Sequence, residues 1–187
     1  MTYITRGIVI GKEPSGDFDY KYVIYTKNFG KVNALAKGVK KTTSKLSSHL
    51  DFFASIDLML AKGLNFYRIA GARISDSRKS IRFNLSKTAA GLIFSEALNN
   101  LMVYDFIDYR VFEISEAFFR DIDLARDIKE VFKQLNKRLF ELLSHLGYQP
   151  SIKSLNQRQL TFDLCFSIIN ITDKDLKSYN FWYQLFN

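Results

Sequence analysis

Hydrophobic and polar residues alternate along the first 74 residues of the chain, in segments that are separated by turn-forming residues. Alternation with a period of two is typical of strands that bury one face. The sequence predicts five strands, over residues 3–12, 18–26, 32–38, 49–63 and 64–74. Five short strands in a small all-β unit favour a closed barrel, because closure removes free sheet edges, and the OB-fold is the five-stranded case.

From about residue 84 the hydrophobic residues recur every three or four positions, which is typical of amphipathic helices. Ser86 is the predicted N-cap of the first helix, and the third is predicted to begin after Asp123 and to end at a C′ glycine, Gly147. The segment 159–171 is apolar on most sides and is expected to be buried. The sequence predicts five helices, over residues 86–102, 106–119, 124–146, 159–171 and 174–186.

This change of period divides the chain into two predicted domains. Residues 1–78 are expected to form a nucleic-acid-binding OB-fold domain, and residues 79–187 an α-helical, partner-binding domain, with the junction at residues 75–83. The predicted fold class is α+β, with an N-terminal five-stranded OB-fold barrel followed by a C-terminal α-helical domain.

The positive charge of the chain is confined to its first half. The formal net charge is +8, and residues 1–82 hold 15 Lys and Arg against 6 Asp and Glu, whereas the remainder holds 12 against 13. No acidic residue occurs from Tyr20 to Leu50, a stretch with seven lysines. Such a concentrated positive field favours a polyanionic partner such as nucleic acid.

The alternation in the second and third strands assigns their two faces. Phe18, Tyr20, Tyr22, Ile24, Val32, Ala34 and Ala36 share the face predicted to form the core. The opposite face presents lysines around Tyr25, and lysines bind phosphates while an aromatic ring stacks on an unpaired base. We therefore predict a DNA-binding surface made of Lys21, Tyr25, Lys31, Lys37, Lys40, Lys41, Lys45 and Arg73.

More ordinary interpretations of the same residues stay open. The lysines at 37–45 also suit a solvated loop, and the ring of Tyr25 also suits packing within a small barrel. Arg73, Arg78, Lys79 and Arg82 either extend the basic surface or belong to a solvated linker.

The sequence contains few residues that could form a metal site or a catalytic centre. Cys165 is the only cysteine and is expected to be buried, and His49 and His145 have no neighbours at metal-ligand spacing. A glycine-rich phosphate loop and a nucleophile elbow are also absent from the sequence. We expect a binding protein rather than an enzyme, without a metal or cofactor. With no signal peptide and no apolar run of about 20 residues, we expect it to be soluble and cytoplasmic, with no membrane partner.

Two short motifs stand close together in the first half of the chain. Tyr25, Thr26, Gly30 and Lys31 match the pattern Y/F-T-x-x-x-G-K, and Ala36, Lys37, Gly38, Lys40 and Lys41 match A-K-G-x-[KR]-[KR]. Residues 44–46, Leu50 and the strand DFFASIDLML continue the match, and residues 143–150 add a helix end. In this order and spacing, the motifs resemble the RecO family of bacterial recombination mediators.

The resemblance implies a non-enzymatic protein of DNA repair by homologous recombination, located in the cytoplasm and associated with the nucleoid. Such a protein binds single- and double-stranded DNA, anneals complementary strands and, with RecR, helps to load RecA onto DNA coated by single-strand binding protein, which offers an acidic C-terminal tail. By position, the resemblance assigns DNA contacts to Lys37, Lys40, Lys41 and Lys45.

The chain departs from the family pattern at one place. Many members follow the helix end with a four-cysteine zinc module, whereas residues 147–160 contain no cysteine, so a thiolate site cannot form there. The resemblance is therefore to a short form without this module. Two other functions remain open on the same surface, namely an OB-fold protein-interaction scaffold and an RNA-binding module.

Overall fold

Five strands form a closed barrel in the first half of the chain. The computed structural model describes residues 1–64, 66–150, 152 and 156–186, without the side chains of 185 and 186. Residue 65 of the fifth predicted strand, and residues 151 and 153–155 of the cysteine-free stretch, lie outside the described residues. The strands are β1 (Thr2–Ser15), β2 (Asp19–Thr26), β3 (Gly30–Ala36), β4 (Ser55–Lys62) and β5 (Tyr67–Asp76).

The strand order around the barrel is β1-β2-β3-β5-β4, closed by pairing of β4 with β1. Neighbouring strands are antiparallel, except that β3 and β5 pair in parallel over two residues each. β1 is long enough to pair with both β2 and β4, and a bulge between Val9 and Gly11 lets it bend around the barrel. The predicted barrel and its five strands are confirmed.

The barrel core contains most of the residues that alternation assigned to it. Tyr22, Ile24, Val32, Ala34 and Ala36 are buried there, with Tyr20 partly buried against them. The prediction for Phe18 is wrong, because its side chain is 54% exposed. β2 begins only at Asp19, so Phe18 belongs to the turn before the strand and its side chain is not held on the core face of β2.

Six helices follow the barrel strands in the described part of the chain. A 3-10 turn, Ser47–His49, precedes β4. The helices are α1 (Lys79–Phe83), α2 (Leu85–Leu101), α3 (Tyr109–Leu124), α4 (Ile128–His145), α5 (Gln157–Thr172) and α6 (Lys177–Phe186), and none of these described helices is long and apolar enough to span a membrane.

Several helix termini differ from their predicted positions. The Asn84 side chain accepts a 3.1 Å hydrogen bond from the Lys87 N–H and caps α2 in place of Ser86. α4 begins at Ile128 rather than after Asp123, because Asp127 accepts a 2.8 Å hydrogen bond from the Glu130 N–H. The predicted end of α4 before Gly147 is confirmed.

The helix α5 is less buried than its apolar sequence predicts. Leu164, Cys165 and Ile168 are buried, but Phe162 and Phe166 are exposed and stack on one another. These two rings lie four residues apart and therefore share one face of the helix.

The chain forms two compact units. The barrel unit comprises Met1–Arg78 and Met102–Phe112, and the helical unit comprises Lys79–Leu101 and Glu113–Asn187. The segment 102–112 thus belongs with the barrel, although its sequence position lies within the predicted helical domain.

Candidate nucleic-acid interface

The lysine loop, residues 37–45, is fixed to the turn between β1 and β2. Gly38 has a φ of +65°, and its N–H donates a 2.7 Å hydrogen bond to the Asp19 carboxylate. The N–H of Lys40 donates to the carbonyl oxygen of Phe18 at 3.0 Å, and its Nζ donates to that of Gly16 at 2.9 Å. These three hydrogen bonds hold the loop and the turn together as one structure.

Most lysines of this loop direct their charge to solvent. Val39 is buried in the barrel core and anchors the loop, whereas Lys37, Lys41 and Lys45 are exposed. None of the ion pairs among the described residues involves these three lysines. The structure therefore presents three uncompensated positive charges on a backbone that is fixed by hydrogen bonds.

Aromatic rings accompany the lysines at this turn. The Nζ atoms of Lys12 and Lys40 lie 4.0 and 4.7 Å from the centroid of the Tyr20 ring, and the Nζ of Lys41 lies 5.4 Å from that of Phe18. We call these five residues the turn site. A cation above an aromatic face is held by the ring quadrupole, so the lysine stems are pre-positioned here.

Sequence reasoning missed three members of the turn site, Lys12, Phe18 and Tyr20, of which the two aromatic residues were assigned to the core. Lys12 lies on β1 opposite Tyr22 of β2, and this register carries its side chain towards the rings of β2. The alternation of β1 predicts on which face Lys12 lies, but its neighbours on β2 can be predicted only when the hairpin register is known. Phe18 was assigned to the core because the turn was predicted to end at residue 17, one residue too early.

Two of the predicted DNA contacts, Tyr25 and Lys31, are buried in the barrel unit beside the segment 102–112. Tyr25 is fully buried, and Lys31 is 4% exposed with its Nζ 4.2 Å from the centroid of the Tyr104 ring. The Asp105 N–H donates a 2.9 Å hydrogen bond to the Lys31 carbonyl oxygen. Burial and, to a smaller extent, the Asp108 carboxylate raise the pKa of Tyr25. This part of the β2–β3 face is not available to a ligand in this structure.

The remaining predicted contacts lie on the surface with acidic partners. Lys21 pairs with Glu13 at 2.9 Å, and Arg73 pairs with Asp57 at 3.1 Å. Asp57 also bonds Arg6, so the arginines share one carboxylate. Local pairing weakens the pull of Lys21 and Arg73 on phosphates compared with the lysine loop.

At the junction, Arg78 neither extends the basic surface nor lies in a solvated linker. It is 2% exposed, and its guanidinium donates to the Phe53 carbonyl oxygen at 3.2 Å and to Asp76 at 3.1 Å. Arg78 therefore stabilises the barrel.

Other reactive residues do not form a site among the described residues. Three or more His, Cys, Asp and Glu side chains do not come together at metal-binding distance in any described part of the chain. Cys165 is buried as predicted, and burial raises the pKa of its thiol, so the reactive thiolate is disfavoured.

In the described part of the helical unit, an apolar groove with a volume of about 410 Å³ lies between α4 and α5. Phe140, Ile152 and Leu160 supply its apolar surface, and Lys133 and Lys137 add positive charge. The sequence predicts the helices on either side but not this groove, because the groove depends on how the two helices pack.

Comparison with known proteins gives a consistent set of relatives. Residues 1–78 match the family model for the N-terminal part of recombination protein O. The chain is 26% identical to the DNA repair protein RecO of Dehalococcoides mccartyi over 149 residues, which are 80% of this chain and 58% of the relative. For the Roseiflexus protein of the same name, the identity is 28% over 152 residues, 80% of this chain and 52% of the relative.

The RecO protein of a Nocardioides species is 32% identical over 103 residues, which cover 54% of this chain and 42% of the relative. The chain therefore spans about half the length of the curated relatives it matches.

Proposed function

Because the chain belongs to the RecO family of DNA repair proteins, as its sequence motifs predict, we propose that it binds single- and double-stranded DNA through the lysine loop. The observation that carries the proposal is the set of three exposed, uncompensated lysines, Lys37, Lys41 and Lys45, on a backbone fixed to the β1–β2 turn. Each lysine that neutralises a phosphate releases a condensed counterion, which drives binding.

Strand annealing follows from the same contacts and needs no catalytic residue. Two complementary strands repel each other through their phosphates, and lysines that neutralise these phosphates lower this repulsion. Base pairing then supplies the sequence specificity, since phosphate contacts carry none. We infer a non-enzymatic mediator that acts with RecR to load RecA onto DNA coated by single-strand binding protein.

The α4–α5 groove supports contact with the acidic C-terminal tail of single-strand binding protein. Lys133 and Lys137 offer positive charge to the carboxylates of the tail, and Phe140 and Leu160 offer apolar surface on which an extended peptide can pack. The test is the affinity of a fluorescent tail peptide, which should fall in Lys133→Glu and keep its value in Lys174→Glu. Equal affinities would place the tail elsewhere.

The DNA-binding test is a salt titration with a labelled single strand. Replacing Lys37, Lys41 and Lys45 together with Gln should flatten the slope of log affinity against log salt by about 2, since each phosphate contact contributes about 0.7. Lys40 is left in place because its Nζ holds the turn through Gly16. A matched control replaces three exposed lysines of the helical unit with Gln, namely Lys129, Lys174 and Lys177.

Equal losses in the two variants would show that net charge, and not the lysine loop, governs binding. Failure of the wild-type protein to bind DNA at low salt would overturn the proposal. Tighter binding of RNA of the same sequence would support an RNA-binding module, because the 2′-hydroxyl distinguishes the two polymers. Binding only to an acidic protein surface would support an interaction scaffold.

A further inference from the structure

Phe18 is an exposed aromatic residue at a hydrogen-bonded point of the β1–β2 turn. Its side chain is 54% exposed, it lies in the turn before β2 rather than in a strand, and its backbone is held by the hydrogen bond from Lys40. The ring is therefore presented to solvent from a fixed position. Presentation of this kind lowers the entropic cost of binding a flat ligand.

The charges around Phe18 indicate the chemistry of that ligand. Lys41 places its Nζ 5.4 Å from the ring centroid, and Lys40 and Lys12 hold their Nζ atoms near the neighbouring Tyr20 ring. The carboxylate of Asp19 is bonded to the Gly38 N–H, while that of Asp17 is exposed beside the site. The turn site thus joins an open aromatic face to three lysines and one exposed carboxylate.

We propose that Phe18 stacks on an unpaired nucleobase while Lys12, Lys40 and Lys41 contact the phosphates on either side of it. This inference rests on the proposed DNA binding and adds a base-dependent contact to it. Paired bases inside a duplex do not expose their faces, so the contact belongs to single strands alone. It gives the lysine surface a preference for unpaired over paired DNA.

Other ligands fit the turn site less well. An apolar peptide would bury Phe18 but would leave the three lysines without partners. An acidic peptide would satisfy the lysines but would leave the ring face exposed. A nucleotide of a single strand satisfies both, because it carries a flat base and a phosphate within one repeating unit.

The test compares two single strands of equal length, one with bases and one in which every nucleotide is abasic. Both carry the same phosphates, so the ratio of their affinities isolates the contribution of the bases. We expect the wild-type protein to prefer the strand with bases by about 5- to 150-fold, the range that stacking of one base provides. In Phe18→Leu this preference should fall towards unity, while the affinity for the abasic strand stays unchanged.

Two further variants control the experiment. Phe83→Leu changes an exposed phenylalanine of the helical unit and should keep the wild-type preference. Phe18→Trp should keep the preference and show quenching of the new indole fluorescence when the strand with bases is added. Because Phe18 is exposed, its variants should unfold at the wild-type temperature.

The outcomes separate this inference from the proposed function. If Phe18→Leu keeps the wild-type preference, or lowers the affinity for both strands equally, the stacking role is wrong. The proposed lysine contacts are then unaffected. If the wild-type protein binds both strands with equal affinity, the stacking role is likewise wrong. If neither strand binds at low salt, the proposed DNA binding fails and the stacking contact fails with it.

Discussion

The Nζ of Lys31 lies 4.2 Å from the centroid of the Tyr104 ring, within the barrel unit. The two residues also form an isolated parallel bridge, so segment 102–112 continues the sheet at the edge of β3. A lysine that the alternation of β3 places on the outer face is thereby covered by the chain itself. The basic residues that remain exposed to solvent are therefore those of the lysine loop and the β1–β2 turn.

Because of this arrangement, we expect Lys31 and Lys41 to contribute unequally to the proposed DNA binding. Lys31→Met should leave the salt slope of single-strand binding unchanged, because the side chain is buried under Tyr104. Lys41→Met removes an exposed charge and should lower the slope by about 0.7. Fluorescence anisotropy at four salt concentrations measures both slopes, and circular dichroism confirms that each variant is folded. A reduced slope in Lys31→Met would mean that segment 102–112 leaves β3 when DNA binds.

Replacing Tyr25 with phenylalanine should stabilise the folded protein. Its hydroxyl is buried and has no hydrogen-bond partner among the described residues, and an unsatisfied buried group costs about 1–3 kcal/mol. Tyr25→Phe keeps the ring and should raise the free energy of unfolding by about 1 kcal/mol. Urea unfolding at pH 7 measures the change. A loss of stability would reveal a partner for the hydroxyl, such as a buried water.

The same hydroxyl predicts how stability depends on alkaline pH. The folded protein holds the pKa of Tyr25 above its ordinary value of 10.0, so above pH 10 the unfolded state binds fewer protons and stability falls as the pH rises. Burial also raises the pKa of Tyr22 to about 12, with the same sign. Between pH 9.5 and about 11, Tyr25→Phe should lose stability less steeply than the wild type. Parallel curves would show that Tyr25 does not contribute.

Gly30 allows segment 102–112 to approach β3 and should not tolerate a side chain. Its φ is +63°, and a Cβ at this position would overlap the backbone carbonyl of Phe106. Gly16 has a similar φ of +71°, but no described atom lies within 4 Å of a Cβ built there. Gly16→Ala should therefore lower the free energy of unfolding by about 1–2 kcal/mol, the cost of placing alanine in the left-handed conformation. Gly30→Ala should lower it clearly more, because the new Cβ also overlaps the backbone.

Urea unfolding of the two alanine variants measures this difference, because the conformational term is nearly the same in both. Equal destabilisation would mean that the 102–112 segment shifts away at no cost. In that case, the cover over Lys31 and Tyr25 would be loosely held.

The sequence predicts the strands and helices well because each has a regular hydrophobic period. It does not predict which face of the β2–β3 hairpin is covered, since the covering segment 102–112 begins 66 residues after Ala36, the last residue of the hairpin. For this reason, Tyr25 and Lys31 were both expected to be exposed. A period of two shows which residues share a face of the hairpin, but not what packs against that face. The lysine loop survives as the candidate site, since its charge pattern is local.

Errors at element ends have a different cause. Asn84 and Ser86 are both good N-cap residues, and only the hydrogen bond to the Lys87 N–H selects Asn84. Leu124 continues the apolar pattern of α4 but is the last residue of α3, because Asp127 starts the new helix. Phe18 fits the alternation of β2 but precedes its first residue. In each case, one residue at a boundary belongs to two plausible patterns.

Asp17 is an exposed carboxylate beside Phe18, and its charge opposes the approach of phosphates to the turn site. Asp17→Asn should strengthen single-strand binding about two- to fivefold at low salt, with a smaller gain at 0.15 M because screening shortens the reach of the charge to about 8 Å. Asp175→Asn makes the same change of net charge at an exposed position of the helical unit and should leave the affinity unchanged. If both variants gain equally, net charge attracts the DNA and the strand does not lie at the turn site. If only Asp17→Asn gains, and the gain fades with salt, the phosphates pass within a few ångströms of Phe18.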